Sequence, residues 1–100
     1  MPVLTKSTRR SFGGPRLDVA CAFGQVLRDA RHFKGLSQEA LALEAGVERT
    51  YPSLLERGLR TPTITVVIQF ARVLGISPQT LIARTLDKLP SQFSAPWTGQ

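Results

Sequence analysis

Residues 35–58, GLSQEALALEAGVERTYPSLLERG, decide how the chain folds. Ser37 is a capping residue type and opens a short helix in which Leu41, Ala42 and Ala45 are available for burial, and Gly46 ends it. A second helix begins near Glu48 and closes on Glu56-Arg57-Gly58, a cation followed by a permissive residue. The connector Ala45-Gly46-Val47 is compact, because a glycine takes positive φ at little cost and lets two short helices cross steeply. On a wheel started at Arg49, Tyr51, Pro52 and Leu55 fall at about 200°, 300° and 240°, an apolar face. Ser53, Thr50 and Leu54 fall at about 40°, 100° and 140° beside Arg49. A guanidinium forks onto guanine O6 and N7, hydroxyls serve either base, and an aliphatic group meets a thymine methyl. The same residues also suit an ordinary solvated helix face.

Working outward, Ala20, Phe23, Val26, Leu27 and Ala30 recur at three-and-four spacing and predict a helix from an Asp18 cap to a stop at Lys34-Gly35. Gly24 inside it weakens the helix and permits close packing. Leu59 to Pro62 is a connector. Thr63 caps a fourth helix whose apolar positions Val66, Val67, Phe70, Ala71 and Leu74 precede Gly75. Its β-branched run from Ile64 to Ile68 also suits a strand, but no neighbouring segment would pair with one. Ser77-Pro78, a cap followed by proline at the first helical position, opens a fifth helix through about Leu89. The expected architecture is all-α, a compact five-helix bundle over residues 17–89 containing a helix-turn-helix. Residues 1–16 read as a flexible basic arm and residues 90–100 as an irregular tail.

One hundred residues suit one small domain. The +6 formal charge is unevenly placed. Lys6, Arg9, Arg10 and Arg16 stand in the arm with no acid, whereas residues 17–89 carry nine basic and seven acidic residues. A basic arm either attracts phosphate non-specifically or is a solvated tail. No apolar run approaches the roughly 18 residues a membrane helix needs, and no secretory leader is expected. The single cysteine, Cys21, excludes an intrachain disulfide and a thiolate metal cluster, so a reducing cytoplasm is the expected location. Cys21 reads as a small core residue. The single histidine, His32, reads as helix surface and lies 11 residues from Cys21, about 16 Å along one helix. No catalytic constellation, metal box or cofactor site is expected, and an enzyme is the weakest reading.

The stretch from Gly35 to Arg84 resembles the phage-repressor-like helix-turn-helix family, also called the xenobiotic-response-element type. The resembling pieces are Leu36-Ser37-Gln38-Glu39, Leu41-Ala42, Ala45-Gly46-Val47, Leu55-Glu56-Arg57-Gly58, Arg60-x-Pro62 and Ala71-x-x-Leu74-Gly75, with Phe23-Gly24-Gln25 and Leu27-Arg28 ahead of them. The resemblance implies a transcriptional regulator, a repressor or autoregulator, that binds a palindromic double-stranded DNA operator as a homodimer. Each third helix would enter a major groove, with half-sites about one helical turn apart. By position it implies base reading by Arg49, Thr50 and Leu54 with Ser53 beside them, and phosphate contacts by Ser37 and Gln38, with Arg57 and Arg60 as further phosphate candidates. Arg31 and Glu56 match a structural ion pair between the first and third helices. Relatives often pair through the fifth helix, which suggests a dimer surface of Ile82, Leu86 and Leu89.

Two positions depart from the family pattern. Pro52 stands where an aliphatic residue is usual, and it suits a helix only within the first turn. Leu54 replaces a frequently polar reader, and it either meets a thymine methyl or packs against a neighbour. The competing reading is a protein-interaction module, such as an antitoxin or an antagonist of a partner regulator. Phe93 and Trp97 in the tail favour it, as side chains that either are unordered or cover an apolar patch. RNA binding through the arm fits less well, because the A-form major groove is too deep and narrow for a helix.

Overall fold

The computed structural model describes the backbone of residues 5–90 and the side chains of residues 19–90. Five helices follow in order: α1 (Thr5–Lys34), α2 (Gln38–Ala45), α3 (Tyr51–Glu56), α4 (Ile64–Leu74) and α5 (Pro78–Asp87). No strand occurs among the described residues, so the fold is all-α. The β-branched run is helical because Thr63 nucleates it, its Oγ1 accepting the Val66 N–H at 3.2 Å. Its buried residues Val67, Phe70, Ala71 and Leu74 lie at helical rather than alternating spacing.

The short helices are closed by local chemistry. The Ser37 hydroxyl accepts the Ala40 N–H at 3.0 Å, and the Ser77 hydroxyl accepts that of Thr80 at 3.1 Å. Gly46, at φ 75°, reverses the chain after α2, so that its own N–H and that of Val47 return to the carbonyls of Leu43 and Ala42.

Packing joins α1 to α3 and α5, and α2 to α4. Phe23, Val26, Leu27 and Ala30 of α1 meet Leu41 and Ala45 of α2, Leu55 of α3, Val67, Phe70, Ala71 and Leu74 of α4, and Leu81 of α5 in one core. Phe70 is the largest of the fully buried side chains. Burial of each such aliphatic or aromatic side chain stabilises by about 1.5–3 kcal/mol. Gly24 has a steric purpose: a Cβ there would overlap the Leu55 carbonyl oxygen and lie 2.9 Å from that of Glu56. Backbone of α1 and α3 therefore touches at that point.

Three boundaries and one burial differ from the sequence reading. The first helix starts at Thr5 and not at an Asp18 cap. The side chains of the basic arm lie outside the described residues. The third helix starts at Tyr51, for reasons given below, and the fifth ends at Asp87 rather than near Leu89. Cys21 is exposed, not a core residue. It stands two positions before buried Phe23, about 200° around the wheel and off the core face.

Candidate nucleic-acid interface

Between Gly46 and α3 the chain makes a turn held by Glu48. Its carbonyl accepts the Tyr51 N–H at 3.0 Å, and its carboxylate accepts the Thr50 N–H at 2.9 Å and the Thr50 hydroxyl. The Thr50 hydroxyl, followed by the Thr50 amide, holds the Glu48 carboxyl below the ordinary glutamate range. Such side-chain bonds give the backbone an alternative to helix. They explain why α3 begins three residues later than the sequence suggested. Pro52 is then the second residue of α3, where its missing N–H was without an intrahelical partner anyway, and its ring is buried.

That start corrects the helical wheel. Arg49 and Thr50 are not on the same regular helix as Ser53 and Leu54 but in the turn ahead of it. Both are exposed, whereas Ser53 and Leu54 are half-buried. The Arg49 guanidinium lies 3.9 Å from the Glu39 carboxylate, with the two side chains 72% and 73% exposed. A solvated pair of that kind contributes little to folding and leaves Arg49 able to move.

Behind this edge lies a polar cluster in which α1 holds α3. Arg31 Nε donates to Glu56 Oε2 at 2.6 Å and Arg31 Nη2 donates to Glu56 Oε1 at 2.9 Å, with the two side chains 9% and 4% exposed. Arg31 Nη1 donates to the Leu36 carbonyl at 2.9 Å, which extends the clamp to the loop before α2. Arg31 Nη2 also lies 3.2 Å from His32 Nε2, which can only be the acceptor there, because a guanidinium has no lone pair to offer. His32 is otherwise exposed, as its sequence context suggested.

The phosphate candidates sit around this cluster without being equivalent. The Ser37 side chain is exposed and its hydroxyl oxygen caps α2. Gln38 is half-buried, and its amide donates to Glu56 Oε1 at 2.9 Å. The sequence held no sign of that bond across 18 positions. Arg57 is exposed, with Nε 3.4 Å from the Ser53 carbonyl, and Arg60 is exposed, with Nη1 donating to the Leu59 carbonyl at 3.1 Å. One open depression is lined by Arg28, His32, Gln38, Ser53 and Arg57 above the Arg31–Glu56 pair. Neither Arg28 nor His32 was singled out for contact from the sequence, and their i, i+4 spacing on α1 was the available signal.

On the far side of the bundle, Ile82 is 44% exposed and Leu86 and Leu89 are half-buried. Ile82 and Leu86 line a shallow apolar groove between α4 and α5, opposite Ile64 and Ile68, which are 76% and 52% exposed. The sequence reading missed the two α4 isoleucines, although their four-residue spacing, off the Phe70 face, was legible. Phe93 and Trp97 lie outside the described residues. Among the described residues no group of His, Cys, Asp or Glu is placed to hold a metal ion, and no single helix is long and apolar enough to cross a membrane.

This geometry has known counterparts. A family model described as a helix-turn-helix domain matches residues 22–84. An uncharacterized HTH-type transcriptional regulator of Sinorhizobium fredii, y4dJ, is 35% identical over 74 residues, covering 74% of this chain and 95% of the relative. Control protein C.BamHI of Bacillus amyloliquefaciens is 36% identical over 66 residues, covering 65% of this chain and 82% of the relative. Among solved structures, the restriction-modification controller protein C.AhdI from Aeromonas hydrophila superposes with a TM-score of 0.60 at 42% identity, covering 62% of this chain and 94% of that one. The matched residues include the whole α2–Gly46–α3 unit and the Arg31–Glu56 clamp behind it. The chain belongs to the phage-repressor-like helix-turn-helix family, and an HTH-type transcriptional regulator stands among its relatives.

Proposed function

We propose that this protein is a cytoplasmic transcriptional regulator, a repressor or autoregulator, that binds double-stranded DNA in a sequence-specific way and needs no cofactor. The observation that carries this reading is the edge formed by exposed Arg49 and Thr50 with Ser53 and Leu54 of α3, set beside the capped start of α2. In the major groove, Arg49 forks onto a guanine and Thr50 and Ser53 offer hydroxyls to base edges. The start of α2 and the exposed Arg57 and Arg60 take backbone phosphates. Leu54, half-buried and not among the side chains packed against the core, offers its methyl groups to a thymine methyl.

A second copy docked on the α4–α5 groove covers Ile64, Ile68, Ile82 and Leu86 and produces a two-fold dimer. Two-fold symmetry in the protein requires a palindromic operator with half-sites about one helical turn apart. The basic arm of residues 1–16 adds non-specific attraction to phosphate.

Selection of bound sequences from random duplex DNA, repeated across salt concentrations, tests the reading. The expected result is a two-fold-symmetric motif. Arg49→Ala then relaxes preference at one position per half-site and weakens binding by about 1–3 kcal/mol. Weak binding with no motif and only a steep salt dependence would overturn specific recognition. Sedimentation of a monomer at high micromolar concentration would overturn the dimer.

A further inference from the structure

We propose that Arg28 of α1 and Arg57 at the end of α3 grip one and the same backbone phosphate of the bound duplex, over the floor made by Arg31, Glu56 and Gln38. This inference rests on the DNA-binding reading above and names a contact within it.

Gly24 supplies the first part of the geometry. With no Cβ, it lets α1 lie against the Leu55 and Glu56 carbonyls. Arg28 stands one helical turn further along α1, about 6 Å on, on nearly the same side of the helix. Arg28 and Arg57 then line a single open depression with Gln38 and Ser53. Both arginines are exposed and able to reorient.

Charge supplies the second part. Three arginines and one glutamate line the depression. The glutamate is already engaged, taking two bonds from Arg31 and one from Gln38. The ion pairs among the described residues join Arg31 to Glu56 and Arg49 to Glu39, and neither includes Arg28 or Arg57. Two cations therefore face one opening with no carboxylate to neutralise them. A phosphodiester, with one charge shared by two outer oxygens, matches two guanidinium forks. His32 also lines the opening.

Position selects the ligand as backbone rather than a free anion. Ser53, which also lines the opening, belongs to the edge assigned to base reading, and Gln38 begins α2. A phosphate held there lies on the strand flanking the groove that α3 would occupy.

The test uses the full chain and the duplex recovered by selection, with affinity read by fluorescence anisotropy over a range of salt. Arg28→Gln keeps length and hydrogen bonding and removes the charge. It is expected to weaken binding about five- to tenfold at moderate salt, to leave the log K against log salt slope almost unchanged because Arg57 still neutralises the shared phosphate, and to leave the selected motif unchanged. Arg28→Lys restores the affinity. Arg28→Gln/Arg57→Gln lowers the slope by about 0.9 in total, because one phosphate is shared, against about 1.8 for two separate phosphates. A fall of about 0.9 in the single variant, or of about 1.8 in the double variant, would overturn the shared grip. So would an Arg28→Gln variant with wild-type affinity while Arg49→Ala still relaxes the motif. A wild-type protein that recovers no duplex would overturn the DNA-binding reading itself, and this proposal with it. Circular dichroism of each variant confirms that the exposed substitutions leave the fold in place.

Discussion

Replacing Glu56 by Gln removes one charge from a pair that is almost fully out of water. The perturbation is severe because Glu56 accepts three bonds, at 2.6, 2.9 and 2.9 Å, from Arg31 Nε, Arg31 Nη2 and Gln38 Nε2. A glutamine keeps the shape and one acceptor oxygen, but it turns an N–H₂ toward donors that had been satisfied. Arg31, with its side chain 9% exposed, is left as a buried cation without a counter-charge. Breaking such a pair from one side costs about 3–5 kcal/mol, and the retained oxygen places Glu56→Gln near 3. A domain of roughly 70 residues has a total stability of only about 4–10 kcal/mol, so the variant gives up about a third or more of it. Its melting temperature is expected to fall by about 12–24 °C.

Removing both charges together should behave differently. Arg31→Met/Glu56→Leu exchanges the pair for apolar volume, a change that is often neutral. It forfeits the bond from Arg31 Nη1 to the Leu36 carbonyl, so a loss of about 1 kcal/mol is expected. Urea denaturation followed by circular dichroism, at low salt and at 1 M salt, measures all three proteins. A single variant that loses less than about 1 kcal/mol, or whose loss vanishes in high salt, would show that the pair is solvated and the clamp reasoning wrong.

Two further outcomes follow from local geometry. Gly46→Ala and Gly58→Ala both force a side chain to φ near 75°, but only the second would also place a Cβ 2.8 Å from Cys21 Sγ. Gly46→Ala should cost about 1 kcal/mol and Gly58→Ala about 2–3, with Cys21→Ala recovering part of the second in a double-mutant cycle; equal losses would refute the contact. The Glu48 carboxylate, held below the ordinary glutamate range by the Thr50 hydroxyl and amide, favours the folded turn above its unfolded pKa, and that contribution is lost as pH falls through the folded value. The Thr50 amide resonance should therefore titrate with a midpoint below that of an ordinary glutamate and should stop titrating in Glu48→Gln, and a midpoint at the ordinary value would contradict the turn geometry.

The helix ends marked by a capping side chain or a closing glycine were legible in the sequence. Ser37, Thr63 and Ser77-Pro78 announce their helices because a cap acts within three residues, and Gly46 and Gly75 close theirs by a backbone geometry that only glycine adopts cheaply. The core positions were legible for a related reason, since the periodicity of Phe23, Leu27, Leu41, Phe70 and Leu74 is itself the packing surface. The start of α3 was not. There the helical wheel competes with Pro52, which belongs in a first turn, and with the Glu48–Thr50 bonds, which stabilise a turn in place of helix. The candidate site was half legible. Arg49, Ser37 and Arg57 could be named from position. The Gln38–Glu56 bond depends on how α2 packs on α3, and the joining of Arg28 with Arg57 on how α1 crosses α3, where the missing methyl of Gly24 lets the two backbones touch.

The turn ahead of α3 has a consequence for how such a protein diversifies. Arg49 lies outside the helix, is 72% exposed and is not one of the buried core residues, whereas Pro52 and Leu55 anchor the six residues that follow. Exchanging Arg49 therefore changes folding free energy by only about 0.5 kcal/mol or less. In a longer reading helix the same exchange would also alter helix propensity and the register of every contact below it. Under the base-reading role proposed for Arg49, recognition and folding are separated, and a lineage can move from one preferred DNA site to another by single substitutions, each of which leaves an intact domain for selection to act on.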